Sequence, residues 1–184
     1  MSLLDYYSFK DVLKKEEIRN INTFINNNFD NYETQGKAAT TGKTAKVQCI
    51  FWHKIQHLLN SHISDAVRVV QQEFGYNVYD LNYWDQVNLN IYTDEDKGKY
   101  NWHVDATDAR ANHDIKATVL INLTEEDIEG GAFKIFNQEE YSPPHFDSPG
   151  SILIFKSSLN HKVEPVIKGT RKTLAAFLIG PKFT

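Results

Sequence analysis

The hydrophobic periodicity of this chain changes at Gly75, and that change limits the folds open to it. Before Gly75, apolar residues recur every three or four positions, which places them on one face of an α-helix. Ile18, Ile21 and Ile25 form such a stripe within about 11–28. Ile55, Leu59, Ile63, Ala66, Val70 and Phe74 form a second, longer stripe that Gly75 ends. After Gly75 the pattern alternates. Segments 77–83, 85–92, 99–105, 116–123, 132–136, 151–156, 162–167 and 171–179 read as strands, separated by turn signals such as Asp96-Lys97-Gly98, Gly130-Gly131 and Pro149-Gly150. Two helices followed by about eight short strands predict an α+β fold whose strands close into a barrel or a double-sheet jelly roll. Neither a repeat nor a linker is visible, so 1–184 reads as one domain, with helical support in about 1–75 and the strand core in about 76–184.

Composition narrows the function. With 41 % hydrophobic residues in 184, the chain can bury a core. A net charge of −4, with no basic stripe, argues against a nucleic-acid partner. The apolar runs are too short to span a bilayer, and the N-terminal residues lack a secretion pattern, so no membrane partner is expected. Cys49 is the one cysteine and fits a reducing compartment. The expectation is a soluble, intracellular, cytoplasmic protein, its oligomeric state left open.

Several motifs imitate chemistry. Gly36 to Thr44 resembles a phosphate-binding loop, but its glycines enclose five residues where that motif needs four, and no helix follows. It reads as part of a long polar loop over 30–46. His53 and His57 lie one turn apart on the second helix, away from its apolar stripe, and read as solvated surface, as do His62 and His113. Cys49 reads as a small buried hydrophobe.

One constellation stands apart. In a strand, residues i and i+2 share a face, so His103-Val104-Asp105 sends an imidazole and a carboxylate out side by side. His161 follows the apolar segment 151–155, and Arg171 opens the apolar segment that runs to Ile179. A His₂-carboxylate set leaves one side of an octahedral ion open, the facial arrangement of non-haem Fe(II) oxygenases. A buried Arg needs an anion, and its fork suits a carboxylate.

In this respect the sequence resembles the 2-oxoglutarate and Fe(II)-dependent oxygenases, in their prolyl 4-hydroxylase-like branch. The matching pieces come in order: Asn90-Ile-Tyr92, Tyr100-Asn-Trp-His103-Val-Asp105, Lys116-Ala-Thr118, Gly130-Gly131-Ala-Phe133, Gly150-Ser-Ile-Leu-Ile-Phe155, His161-Lys-Val163-Glu-Pro165-Val166 and Gly169-Thr-Arg171. The resemblance implies a double-stranded β-helix core flanked by N-terminal helices. It also implies His103, Asp105 and His161 as Fe(II) ligands and Arg171 as the partner of the distal carboxylate of 2-oxoglutarate. Tyr92, Thr118 and Asn122 would lie on strands lining the co-substrate pocket; oxygen-sensing prolyl hydroxylases commonly carry Tyr where this chain has Asn122. The implied activity is a dioxygenase, using O2 and leaving room for ascorbate. It would hydroxylate an unactivated C–H bond of a protein, peptide or small-molecule substrate, a peptidyl proline or an amino-acid-like molecule, releasing succinate and CO2. The competing reading is a non-catalytic jelly-roll module that binds a metal or metabolite. Loops at 30–46, 93–99 and 106–114, with Tyr32, Asp108 and Arg110, are the expected seat of specificity.

Overall fold

A strand covered on both faces must be apolar on both, except where one face lines a cavity. The computed structural model describes residues 5–29, 33–35, 42–107 and 112–183, and its strands follow that rule. In chain order the elements are β1 (Tyr6–Phe9), α1 (Lys15–Asn28), β2 (Glu33–Gln35), β3 (Lys43–Phe51), α2 (Trp52–Glu73), β4 (Gln86–Thr93), β5 (Lys99–His103), a 3-10 turn (Asp105–Thr107), β6 (His113–Asn122), β7 (Glu129–Gly130), β8 (Phe133–Asn137), β9 (Glu139–Tyr141), β10 (Ile152–Lys156), β11 (Asn160–Val163), β12 (Val166–Lys168) and β13 (Thr170–Pro181). The strands form a curled antiparallel sheet in the order β1-β10-β6-β13-β4-β3-β5-β11-β8-β9, with β2 on β3 and a separate β7–β12 pair. This is the double-stranded β-helix expected.

Alternation sorts the side chains into two cores. Val87 and Leu89 of β4, Ala117, Val119 and Ile121 of β6, Ile152 and Ile154 of β10, and Leu174, Ala176 and Leu178 of β13 face the apolar stripes of α1 and α2. The intervening residues, among them Tyr92, Leu120, Leu153, Phe155 and Ala175, join Phe133, Phe146 and Val163 inside the curl. The helices thus brace one face of the sheet, and the other face encloses an interior that holds the site.

Several boundaries differ from expectation. The first helix starts at Lys15 rather than near Asp11, because the Val12 and Leu13 amides both donate to Gly150 O, at 3.1 and 3.0 Å. Gly150 is required there: its φ is +79°, and a Cβ would lie 2.2 Å from Leu13 O. Segment 77–83 joins no ladder and ends in a turn, and Tyr79 N donates to the end of β13, at Ile179 O. Segment 162–167 divides at Pro165, which has no N–H to give; β11 pairs β5 and β8, while β12 turns away to β7. Strands β1, β2, β3, β7 and β9 lie outside the eight expected segments, so the described strands number thirteen rather than about eight. Within 30–46, residues 33–35 form β2 and 43–46 begin β3 rather than loop; residues 30–32 and 36–41, with Tyr32, lie outside the described residues, as do Asp108 and Arg110. Cys49 is exposed rather than buried: it shares a face of β3 with Lys43, Ala45 and Val47, and that face is covered only as far as Val47. Among the described residues, no helix is long and apolar enough to cross a membrane.

Candidate metal centre

The ladder between β5 and β11 sets His103 directly opposite His161. Strand β5 ends at His103, and the chain then turns. The Asp105 and Ala106 amides both donate to Ser157 O, at 3.0 and 3.1 Å, which swings the Asp105 carboxylate back between the two imidazoles. The two residues therefore meet through a pinned turn and not, as alternation alone predicted, along one strand. His103 Nε2 lies 3.6 Å from Asp105 Oδ1, and His161 Nε2 lies 3.5 Å from Asp105 Oδ2. One donor atom from each residue falls within 4.8 Å of the other two, a group able to hold a metal ion.

Hydrogen bonds prepare each donor. Asn101 O lies 2.8 Å from His103 Nδ1, and Leu159 O lies 2.9 Å from His161 Nδ1. A carbonyl only accepts, so each Nδ1 carries the proton and each Nε2 presents its lone pair. Thr118 Oγ1 donates to Asp105 Oδ2 at 2.7 Å. Its single proton is then spent, so Ser157 Oγ, 2.9 Å away, donates to Thr118. Ser157, fully buried, was not expected in the site; no local sequence signal marks it.

Both imidazole pKa values are held down to about 4, that of His161 by burial and that of His103 by burial together with repulsion from His161. Burial raises the Asp105 carboxyl, while the Thr118 hydroxyl and His103 oppose the rise. Both histidines are thus neutral donors at pH 7. Below the ordinary value of 6.5, the unfolded chain binds protons at these positions and the folded chain does not, so stability falls with pH across that window. Urea titrations of metal-free protein are expected to show the midpoint dropping from pH 7 to pH 4, with a smaller drop in His161→Gln; equal slopes in the two proteins would contradict this.

The opposite end of the interior is cationic. Arg171, 1 % exposed, lies across the ladder from Tyr92, which leaves its guanidinium carbon 5.8 Å from the Tyr92 ring centroid and 5.7 Å from that of Phe146. Nη1 donates to Thr173 Oγ1 at 3.2 Å, while buried Nη2 has no hydrogen-bond partner among the described residues. Gly131 makes room for this side chain: a Cβ there would stand 3.2 Å from Arg171 Cδ. A cavity of about 200 Å³ joins the two ends and is lined by Tyr92, His103, Asp105, Thr118, His161 and Arg171, with Lys43, Asn88, Asn90 and Tyr100 among the others. An outer cleft of about 410 Å³ shares Asn88, Tyr100, Asp105 and Phe177 with it. A 470 Å³ cavity between α2 and β10 shares no residue with either and holds no such group of donors.

Asn122 does not line this cavity. Its Nδ2 donates to Phe146 O at 3.0 Å and its Oδ1 accepts from Thr124 N at 3.0 Å, which ties up both ends of the short amide in the backbone beside β6. The surface histidines stay outside the site. His57 is exposed, His53 stacks on Tyr83 with ring centroids 4.0 Å apart, and His113 meets the edge of Tyr79.

A family model described as the 2OG-Fe(II) oxygenase superfamily matches residues 87–179. The chain belongs to this superfamily. A search of curated protein sequences returns no match for the oxygenase. Among solved structures it is similar to a prolyl-4-hydroxylase of Pseudomonas putida, with a TM-score of 0.72 and 15 % identity over 98 % of this chain and 94 % of that one. It is also similar to a Trichoplax adhaerens prolyl hydroxylase in complex with a hypoxia inducible factor peptide fragment (TM-score 0.68, 15 % identity, 95 % and 83 % covered). A third likeness is to the α-ketoglutarate-dependent carbocyclase SnoK of nogalamycin biosynthesis (0.67, 13 %, 96 % and 80 %). The likeness is one of fold, and the oxygenase shares the prolyl 4-hydroxylase-like architecture. Two features fit Fe(II) and 2-oxoglutarate: a donor set of two neutral imidazoles and a carboxylate, and a buried guanidinium whose Nη2 has no hydrogen-bond partner among the described residues.

Proposed function

We propose that this oxygenase is a 2-oxoglutarate-dependent dioxygenase that hydroxylates an unactivated C–H bond. The observation carrying this reading is the pairing of a donor triad with an unsatisfied buried Arg171 at the two ends of one cavity. His103, Asp105 and His161 would hold Fe(II). Arg171 would fork onto the far carboxylate of 2-oxoglutarate, with the Tyr92 and Phe146 rings keeping its guanidinium plane in place. Thr118 acts on Asp105, holding one carboxylate oxygen so that the other faces the metal position. When bound, Fe(II), 2-oxoglutarate and O2 supply the oxidising power, with succinate and CO2 as by-products. The chain contributes orientation and dryness: Leu120, Phe133 and Val163 line the cavity with apolar surface that keeps water out.

The outer cleft beside Asp105 is the approach for the substrate. The fold neighbours include a protein bound to a peptide and one named as a carbocyclase, so a peptidyl residue and a small molecule both enter the test. The test measures succinate formed from 2-oxoglutarate with Fe(II), alone and with a panel of proline-containing peptides and free amino acids. Substrate-stimulated succinate with an added oxygen atom in the product is the expected result. Absence of both 2-oxoglutarate binding and turnover would favour the non-catalytic binding module.

A further inference from the structure

Lys43 opens β3 inside the metal-site cavity, where the chemistry proposed above gives it no role. A lysine in such a place is unusual, because burying an ammonium costs free energy unless something compensates. It is 8 % exposed. Its Nζ donates to Asn90 Oδ1 at 2.7 Å and lies 4.9 Å from the centroid of the Tyr100 ring. The same ring stacks on His103 with centroids 3.5 Å apart. Among the described residues, no Asp or Glu oxygen lies within 4 Å of Nζ. A neutral amide and a ring face therefore hold the ammonium in position, and the Asp105 carboxylate attracts it from beyond ion-pair distance.

The site's charges point to what is missing. The cavity-lining residues bring Lys43 and Arg171 as cations against Asp105 alone as an anion. A divalent metal raises the positive excess, and a 2-oxoglutarate dianion, committed to the metal and Arg171, leaves one positive charge over. Asp105, the carboxylate that attracts Lys43, is already in this count and belongs to the metal position, while Asp147 attracts Arg171. Asn90 and Tyr92 are two apart on β4 and share a face, so Lys43, at Asn90, stands about 7 Å along the strand from the Arg171 level. Asn88, the next residue on that face, belongs to both the inner cavity and the outer cleft. The surplus cation thus lies on the cleft side of the Arg171 clamp. Burial holds the Lys43 pKa down to about 8, which leaves it charged at neutral pH.

We propose that Lys43, positioned by Asn90 and Tyr100, binds a carboxylate of the prime substrate, and that this substrate is a small amino-acid-like carboxylic acid whose carboxylate lies a few bonds from the reacting carbon. The inference rests on the oxygenase reading above and selects between its two substrate classes. An interior peptidyl residue has an amide at that point and would leave the ammonium unmatched.

The test loads the protein, without oxygen, with Mn(II) and N-oxalylglycine, an isostere of 2-oxoglutarate. Calorimetry then compares the free amino acids with their carboxamides and with end-blocked prolyl peptides. The expected result is that at least one free acid binds and that its amide binds about 30-fold more weakly. Lys43→Gln is expected to close that gap and Lys43→Arg to keep part of it, with both variants checked by thermal unfolding. Four results would overturn the proposal: no free acid binds, a blocked peptide binds instead, the acid–amide gap survives in Lys43→Gln, or Lys43→Gln weakens N-oxalylglycine, which would assign the lysine to the co-substrate. Succinate formation by the wild-type protein without substrate tests the oxygenase reading separately, so failure of one is distinguishable from failure of the other.

Discussion

Asp105→Ala is expected to abolish divalent-metal binding while leaving the fold in place. The carboxylate is the only anionic donor in the triad and sits between two neutral imidazoles, 3.6 and 3.5 Å from their Nε2 atoms. Without it, two His donors remain with nothing to offset the charge of the metal, and the described residues offer no third donor. Loss of an outer partner that merely orients a ligand costs about 10–100-fold in affinity. Removal of a ligand itself is therefore expected to exceed about 100-fold, and Thr118→Val, which removes only the hydrogen bond to Oδ2, to fall within that range. His103→Ala and His161→Ala should match Asp105→Ala, because among the described residues the site has one arrangement of three donors and no spare. The fold should persist, since the β5–β11 and β8–β11 ladders are backbone pairings that no triad side chain enters. Anaerobic calorimetry with Fe(II) or Mn(II), beside circular dichroism of each variant, decides the matter. Wild-type affinity in any two of the three alanine variants would place the metal elsewhere, with His113 and His145 the next residues to examine.

How far the site was legible depends on how local each signal was. The triad and Arg171 could be named because each sits in a short run of characteristic residues, and their order survives without knowledge of pairing. The stated geometry for His103 and Asp105 was nevertheless wrong in its cause. The strand stops at His103, and what returns the carboxylate is a carbonyl at Ser157, more than fifty residues away. Lys43 was illegible for the same reason. It follows a polar stretch with no periodicity, and only its pairing across to Tyr100 shows that the stretch has become a strand facing the interior. Asn88 and Asn90 were legible in principle. They alternate with Val87, Leu89 and Ile91, and polar residues on one face of a strand buried on both sides mark a wetted cavity. Asn122 shares that inner face of β6 with Thr118, yet its amide is short and is satisfied by backbone before it reaches the cavity. Alternation gives the face of a residue; hydrogen-bond accounting decides whether its side chain is free to act.

Arg171→Ala is expected to impair co-substrate binding while leaving the metal site intact. The guanidinium is 1 % exposed, and its Nη2 has no hydrogen-bond partner among the described residues, so it carries an unmade charge-assisted hydrogen bond into the cavity. A carboxylate that forks onto this edge completes it. Truncation removes the fork and leaves the incoming carboxylate buried without a counter-charge, a loss of about 2–5 kcal/mol, which corresponds to about 30-fold to several thousand-fold in affinity. Arg171→Lys restores the charge but not the planar fork and cannot rest between the Tyr92 and Phe146 rings in the same way, so partial rescue is expected. The metal should be unaffected, because Arg171 contributes no donor to the triad. Turnover of 2-oxoglutarate to succinate without substrate provides one readout, through a large rise in KM for Arg171→Ala and a smaller one for Arg171→Lys. Calorimetry with N-oxalylglycine and Mn(II) provides a second that needs no turnover. Wild-type values for both variants in both assays would make Arg171 a structural residue. Loss of Mn(II) affinity along with the co-substrate would instead mean that the two ends of the cavity are coupled through the strands that separate them.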